Sequence, residues 1–566
     1  MQFDLALVPF SRFGSYMAVS QLAQGRDHPP GLYLRSVSDG FNQKPVFRIE
    51  LFDADGNELG FTANASPSKV TLIADGGVAE IVFATSDALR IRSKGATVRL
   101  TPAFRGGIQA FRYGGSDRWR INVPPARHQY LLTALSGRLA LSGSWNGTSS
   151  TGVLANVKPG DDGLCEVVVE EYESEWEPKE YAGTLEECQA AVEKEWEAFL
   201  AKMPSVPEKY AAARELASYI DWSCVVAPRG FLTRRAMYMS KNWMCGVWSW
   251  DHCFNAMALA YDNPELAWDQ FMLMFDLQHG QGALPDMVDD VKPLWAFCKP
   301  PIHGWTLAKL MATNEWFSAR KRLTEAYAPL CKWTHWWTTY RDPDGTGLSE
   351  YHHGNDSGWD NSTAFKVGVP LVGPDLAAFL IIQMETLADV ASRINKSKDA
   401  AEWKKRASAM KRKLTKELWR DDRFVSVKRP GGQAAEDGDS LINFIPVVLG
   451  KRLPRDVREK VVAGLSQEGR FLTQHGYATE NTRSTYYDPD GYWRGPIWAP
   501  STMIVVDGLA AAGAKDLAKK AAMRFCDMCR ENGFAENYDA LTGVLRRDPA
   551  YTWTASVFLC LAHEYL

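Results

Sequence analysis

The chain has 566 residues, 46% of them hydrophobic and 23% charged, with a formal net charge of −4. That length predicts more than one domain, and the composition is that of a soluble globular protein. No basic stripe stands out, which argues against nucleic acid or an anionic membrane surface as a partner.

The opening stretch, MQFDLALVPFSRFGSYMAVS, has no positive start followed by a sustained apolar run. No signal peptide is expected, and no segment approaches the roughly 18 apolar residues of a spanning helix. The expected location is cytoplasmic. Residues 44–60, KPVFRIELFDADGNELG, alternate and then turn at Asp55-Gly56. SKVTLIADGGVAEIVFAT reads as two strands around Asp75-Gly76-Gly77, and ALRIRSKGATVRLTP, RLALSGSW and GLCEVVVEEYES continue the pattern. Strands punctuated by DG, GG and KG turns predict an antiparallel β-sandwich.

From about residue 185 the periodicity changes to that of helices. In TLEECQAAVEKEWEAFLAK, Thr184 and Glu187 form a candidate capping box. GPDLAAFLIIQMETLADVASRIN places Leu376, Leu380, Leu387, Val390 and Ile394 near one face, with Pro374 at the start. DAAEWKKRASAMKRKLTKELW follows as a second helix. Roughly a dozen helical segments are predicted, with long loops rich in Gly, Pro and Trp and no fixed repeat period. The count fits a toroid of paired helices, an (α/α)6 barrel, which gathers its loops at one mouth. The predicted fold is therefore mainly α: a β-sandwich domain at 1–183 and an (α/α)6 catalytic domain at 184–566.

The ten cysteines are scattered and lie mostly in apolar patterns, as expected of reduced, buried thiols. Cys526 and Cys529 form a CxxC that no second CxxC or nearby His completes, so it reads as part of a helix. No cofactor and no metal are expected. DPDGTG, from Asp342, resembles the start of a calcium loop. His353 stands where the bidentate Glu is required, so the stretch reads as a turn.

Tryptophan is the departure from average composition, with 21 copies. Many adjoin charged or polar residues, as in VWSWDH, SGWDNS and GYWRGPIW. Flat apolar rings flanked by hydrogen-bonding groups suit a sugar, which has apolar C–H faces and a hydroxyl rim. The rings also fit tight packing alone. Four loop clusters stand out: GVWSWDHCFNAMALA, in which Asp251 also fits an N-cap; CKPPIHGWTLAKL; YHHGNDSGWDNST; and the pair YYDPDGYWRGPIWAPS and NGFAENYDALTG. Asp360 and Glu536 are the candidate carboxyl pair. Glycoside hydrolysis needs one protonated carboxyl to donate to the leaving oxygen, and one ionised carboxyl to activate water or attack the sugar. Trp359, beside Asp360, is placed to desolvate it and raise its pKa.

Five stretches, WSWDH, PPIHGW, SGWDNS, YWRGPIWAP and AENYDALTG, resemble, in order and rough spacing, those of inverting α-glycosidases with an (α/α)6 barrel. These are glycoside hydrolase family 63 and its relative, trehalase family 37. The resemblance covers residues 240–566 and implies Asp360 as general acid and Glu536 as general base. It implies sugar contacts for Trp250 and Asp251, and closure over the sugar by Trp493 and Arg494. His303, Trp305, Trp359 and Tyr538 join the expected substrate-binding set. Lys299 joins it as a departure, because many members carry Gln before the proline pair. A cation there alters the hydrogen bonds to the sugar or meets an acidic aglycone such as a glycerate. The implied reaction is cofactor-free hydrolysis of an α-glucosidic bond in a small oligosaccharide or glucoside, with inversion and a carboxyl separation of about 6.5–9.5 Å. Trehalase-like and mannosyl- or glucosylglycerate hydrolysis stay open, as do mannose as the sugar and a homo-oligomeric state. An inverting phosphorylase on the same plan would need a phosphate cradle in place of the base. A sugar-binding protein without catalysis would leave both acids unexplained.

Overall fold

The computed structural model describes residues 1–566 except 26–27, 42–43, 105, 115–116 and 435–437. The chain divides into two compact units. The first takes in Met1–Ala201, Tyr219–Ala227 and Ser240–Cys245; the second takes in Lys202–Ser218, Pro228–Met239 and Gly246–Leu566.

The first unit holds two antiparallel sheets. One runs, in spatial order, Met17–Leu22, Gly31–Ser36, Pro45–Phe52, Thr97–Pro102, Ser150–Lys158 and Arg138–Trp145, with Glu58–Leu59 added beside Pro45–Phe52. The other runs Gln109–Arg112, Arg118–Val123, His128–Ser136, Leu164–Tyr172, Ala88–Lys94, Gly77–Thr85, Val70–Ala74 and Phe61–Ala65. Phe47 of the first meets Tyr130 of the second edge-on at 5.3 Å, so the alternating apolar residues face one shared core. The GG turn closes a hairpin, with Ala74 opposite Gly77. The KG turn does something else. At Gly95 (φ +82°) the chain leaves the second sheet, buries Ala96 and enters the first sheet at Thr97. Helix α1 (Leu185–Leu200) begins with the capping box of Thr184 and Glu187, each side chain accepting from the other's backbone N–H.

The second unit is helical. After α2 (Ala211–Cys224), whose last turn from Tyr219 belongs to the first unit, come α3 (Asp251–Leu259), α4 (Pro264–Asp276), α5 (His303–Thr313), α6 (Arg320–Tyr340), α7 (Pro374–Arg393), α8 (Ser397–Glu417), α9 (Arg455–Ser466), α10 (Ala499–Ala512), α11 (Lys515–Asn532) and α12 (Thr552–Tyr565). A run of tight helical turns, Leu441–Arg452, precedes α9. Two kinds of helix alternate. α3, α7, α10 and α12 are buried along nearly their whole length. α8 instead buries one stripe, Ala400, Trp403, Ala407, Met410 and Leu414, and leaves its lysines and arginines to water. α11 does the same, and its Cys526 and Cys529 lie buried in that stripe. The buried elements touch in sequence: α3 with α5, α5 with α7, α7 with Leu441–Arg452, that segment with α10, α10 with α12, and α12 with α3. Their contacts return to the starting helix. Among the described residues no helix is both long and apolar enough to cross a membrane.

Candidate active site

The loops at the starts of the buried helices carry the candidate residues. Trp250 and Asp251 open α3. Asp251 is its first residue and not a side-chain cap. The residue is 3% exposed, and Oδ2 has no hydrogen-bond partner. Burial therefore pushes Asp251 well above the usual carboxylate range, against the pull of Lys299. A short three-stranded ribbon, Val247–Trp248, Met287–Val288 and Pro293–Leu294, seats Asp286 beside this loop, with Ser249 N–H donating to the Asp286 carbonyl at 3.0 Å. Lys299 Nζ lies 3.2 Å from Asp286 Oδ1 and donates to the Asn355 carbonyl at 3.0 Å and to its side-chain oxygen. Asp251, Asp286 and Asp360 all feel the Lys299 charge, so a single buried cation serves three carboxyls.

The loop carrying Asp360 is shaped by its glycines. Gly358 has φ +75°, and a Cβ there would stand 2.5 Å from the Trp250 ring. A Cβ on Gly354 would overlap the Asp360 carbonyl. The glycine before Trp359 thus lets the acid loop lie directly on the indole at the base of the site. Gly358→Ala is expected to cost about 1–3 kcal/mol and to lower turnover by displacing Trp250. Denaturant unfolding and kcat/KM measure both effects, and unchanged values for both would refute the argument.

Asn361 joins this loop to a later one. Its Nδ2 donates to the Gly491 carbonyl at 3.0 Å, and its Oδ1 accepts from Trp493 N–H at 2.9 Å. Trp493 then packs against three other indoles. Trp498 stacks on it at 4.1 Å and 8°, Trp359 lies at 4.8 Å and Trp250 at 6.2 Å. Trp553 closes the group, 6.1 Å from Trp250 and 5.5 Å from Trp498. These indoles make one continuous aromatic wall.

Glu536 reaches the same wall from the far end of the chain. Ile497 and Tyr538 exchange backbone hydrogen bonds at 2.8 and 3.0 Å, Glu536 N–H donates to the Asp548 carbonyl at 2.7 Å, and Trp553 Nε1 donates to the Glu536 carbonyl at 3.3 Å. The Glu536 residue is 3% exposed. Burial, reinforced by Asp548, pushes its carboxyl up to about 8, while Arg547 and the Tyr492 hydroxyl pull the other way. Tyr492 O–H donates to Glu536 Oε1 at 3.3 Å, and the same hydroxyl lies in the field of Asp360. Asp360 is itself raised, by burial first, with Lys299 and His353 opposing. Tyr492 holds φ +63° with the Arg547 guanidinium 5.0 Å over its ring, a strained backbone fixed by its surroundings.

The structure therefore brings Trp250, Asp251, Lys299, Trp359, Asp360, Trp493 and Glu536 into one cluster. The other four candidates have different neighbours. His303 is fully buried at the start of α5, against Phe275, Trp333 and His252, with neither ring nitrogen hydrogen-bonded. Trp305 donates its indole N–H to Asp507 at 2.8 Å. Arg494 lies 3.8 Å from Asp488. Tyr538 braces the Glu536 loop, its hydroxyl donating to the Gly533 carbonyl and accepting from Ala535 N–H. Asp286, Tyr492, Asp548, Tyr551 and Trp553 complete the cluster without having been singled out from sequence. Tyr492 alone carried a signal there, as the neighbour of Trp493. Among the described residues, His252, Cys253 and His303 bring three donor atoms within 4.8 Å of one another, the one group that could hold a metal ion. Burial lowers His252 to about 4 and raises the Cys253 thiol, so these donors are neutral, and the thiol would have to lose its proton to bind.

Residues 244–554 match the model of the mannosylglycerate hydrolase MGH1-like glycoside hydrolase domain. A mannosylglycerate hydrolase of Rubrobacter radiotolerans is 23% identical over 408 residues, covering 56% of this chain and 90% of the relative. The structure of a GH63 mannosylglycerate hydrolase from Thermus thermophilus in complex with glucose superposes with a TM-score of 0.54 at 19% identity, over 61% of this chain and 98% of that one. A bacterial glucoamylase complexed with acarbose superposes with a TM-score of 0.62 at 11% identity, over 99% of this chain and 93% of that one, which extends the fold likeness to both units. The aromatic wall, its buried carboxyls and the helical unit that carries them thus belong to the MGH1-like glycoside hydrolase domain family, and the chain is a glycosidase of glycoside hydrolase family 63.

Proposed function

We propose that this enzyme hydrolyses the α-glucosidic bond of a small glycoside with inversion at the anomeric carbon, on an (α/α)6 toroid. The returning contacts of the six buried helical elements support the toroid. One observation carries the chemistry: the Tyr492 hydroxyl bonds Glu536 and lies in the field of Asp360, so two carboxyls from distant loops come near one group. Asp360 gives its proton to the glycosidic oxygen as the C1–O bond breaks. A water attacks C1 from the opposite face and passes its proton to Glu536, so one water is added across the bond and no cofactor takes part. Asp251 and Trp250 hold the sugar, and Trp493 covers it. The roles follow the order of the motifs. Proton affinity alone does not separate them, because burial raises both carboxyls. A carboxylate at position 536 occupies the place where a phosphorylase would need a phosphate cradle, so sugar release should be independent of phosphate.

A second reading is hydrolysis of a glycosylglycerate, which the mannosylglycerate hydrolase relative favours. The ten cysteines form no disulfide, which fits a reducing cytoplasm. Proton NMR of a reaction on α-glucosides, trehalose, mannosylglycerate and glucosylglycerate tests the proposal. The first-formed sugar should be the β-anomer, and an α-anomer would overturn the single-displacement mechanism.

A further inference from the structure

N-terminal to Asp360 in the chain, two exposed rings pack against each other at a tilt. Phe297 is 36% exposed, and its ring centre is 4.7 Å from that of His353 at 33°. Two residues earlier Trp295, 45% exposed, lies 5.9 Å from His279. Isolated exposed aromatics are ordinary. Here the segment that carries them is fixed to the acid's own loop, which is not.

Two contacts make that attachment, and Arg341 braces it. Cys298 N–H donates to Asp356 Oδ1 at 3.2 Å, Lys299 Nζ donates to the Asn355 carbonyl, and Arg341 holds the other oxygen of Asp356 at 2.8 Å. His353 is fixed on the same loop by accepting Asn355 N–H on Nδ1 at 3.0 Å, and it lies close enough to Asp360 to act on its carboxyl. Phe297 and His353 are thus held at a set position relative to the group that protonates the leaving oxygen. The two cations of this clamp are already engaged, Lys299 by Asp286 and Arg341 by Asp356. A leaving group bound here would meet these rings beside cations that the protein already pairs.

From this juxtaposition we infer that Phe297 and His353 form the platform for the leaving group, and that it is built for the apolar C–H face of a second sugar ring in preference to a small carboxylate such as glycerate. The inference rests on Asp360 being the acid, and it narrows the proposed substrate to a disaccharide or longer α-glycoside. An aromatic face presented to a pyranose gives such discrimination without a hydrogen-bond donor. The ion-paired Lys299 offers a carboxylate only a site from which Asp286 would first have to be displaced, leaving a buried charge unpaired.

Steady-state kinetics on the full chain test this with three substrate types: α-linked disaccharides, the glycosylglycerates, and the α-glucosyl and α-mannosyl fluorides, which carry no aglycone ring. The wild type should prefer a disaccharide to either glycosylglycerate in kcat/KM. Phe297→Ala should lower the ratio of kcat/KM on that disaccharide to kcat/KM on the fluoride about tenfold, mostly through KM, and Phe297→Trp should restore it. A wild-type preference for a glycosylglycerate overturns the inference, as does an equal loss on disaccharide and fluoride. Absence of turnover on every substrate, the fluorides included, overturns the hydrolase proposal itself and this inference with it.

Discussion

Asp360→Asn should lower turnover of an alkyl α-glycoside by about 10²–10⁴-fold while leaving the unfolding transition in place. An amide keeps the shape of the carboxyl and cannot give up the proton the leaving oxygen needs. The loss should be much smaller on a glycosyl fluoride, because fluoride departs with less need of protonation. That contrast separates an acid from a group that only shapes the pocket. Equal damage on both substrates would remove Asp360 from the acid's role.

Glu536→Gln should behave differently in three ways. Activity falls on alkyl glycosides and fluorides alike, since both need an activated water. In the wild type, the acid limb of the kcat/KM profile reports the free enzyme's base. It should lie near pH 8, where Glu536 titrates, and not near its ordinary 4.5. The third effect is on stability. The native state holds the Glu536 proton up to about pH 8, while the unfolded chain releases it from about 4.5. Between those values the native state binds more protons, so stability falls as pH rises. Glutamine removes that penalty. At pH 9 the variant should be more stable than the wild type by about 3–5 kcal/mol, and near pH 4 the two should be alike. Urea unfolding at the two pH values measures the difference. A variant less stable at pH 9 would mean that burial does not raise the Glu536 carboxyl above its ordinary value.

Much of this was legible in the sequence, for reasons that are local. Strand alternation, the GG hairpin and the Thr184–Glu187 capping box depend on residues a few positions apart, and the described structure has each of them. So does the CxxC, whose spacing places both thiols on the buried stripe of one helix. The KG turn was not legible as a sheet-to-sheet crossing, because a two-residue turn reads alike in both settings. The pairing of Lys299 with Asp286 was also hidden. It depends on a three-stranded ribbon of two residues per strand, too short to show a period. Asp548 and Tyr551 act on Glu536 and its surroundings only because the chain folds back at Phe534–Tyr538, and no motif marks them. The indoles in the loops suggested a sugar site; that five of them join in one wall was decided by packing.

The side chain of Asn361 gives that packing a use. Both ends of its amide are occupied by the backbone of a loop 130 residues further along, at Gly491 and Trp493. The residue next to the acid thus acts as a latch, engaged only once the later loop has docked. A refolding chain regains its helices from local interactions, but it reaches a working centre only when segments from the 250s to the 550s have met. The return of catalysis is then a readout of the last assembly step, later than any signal from the backbone.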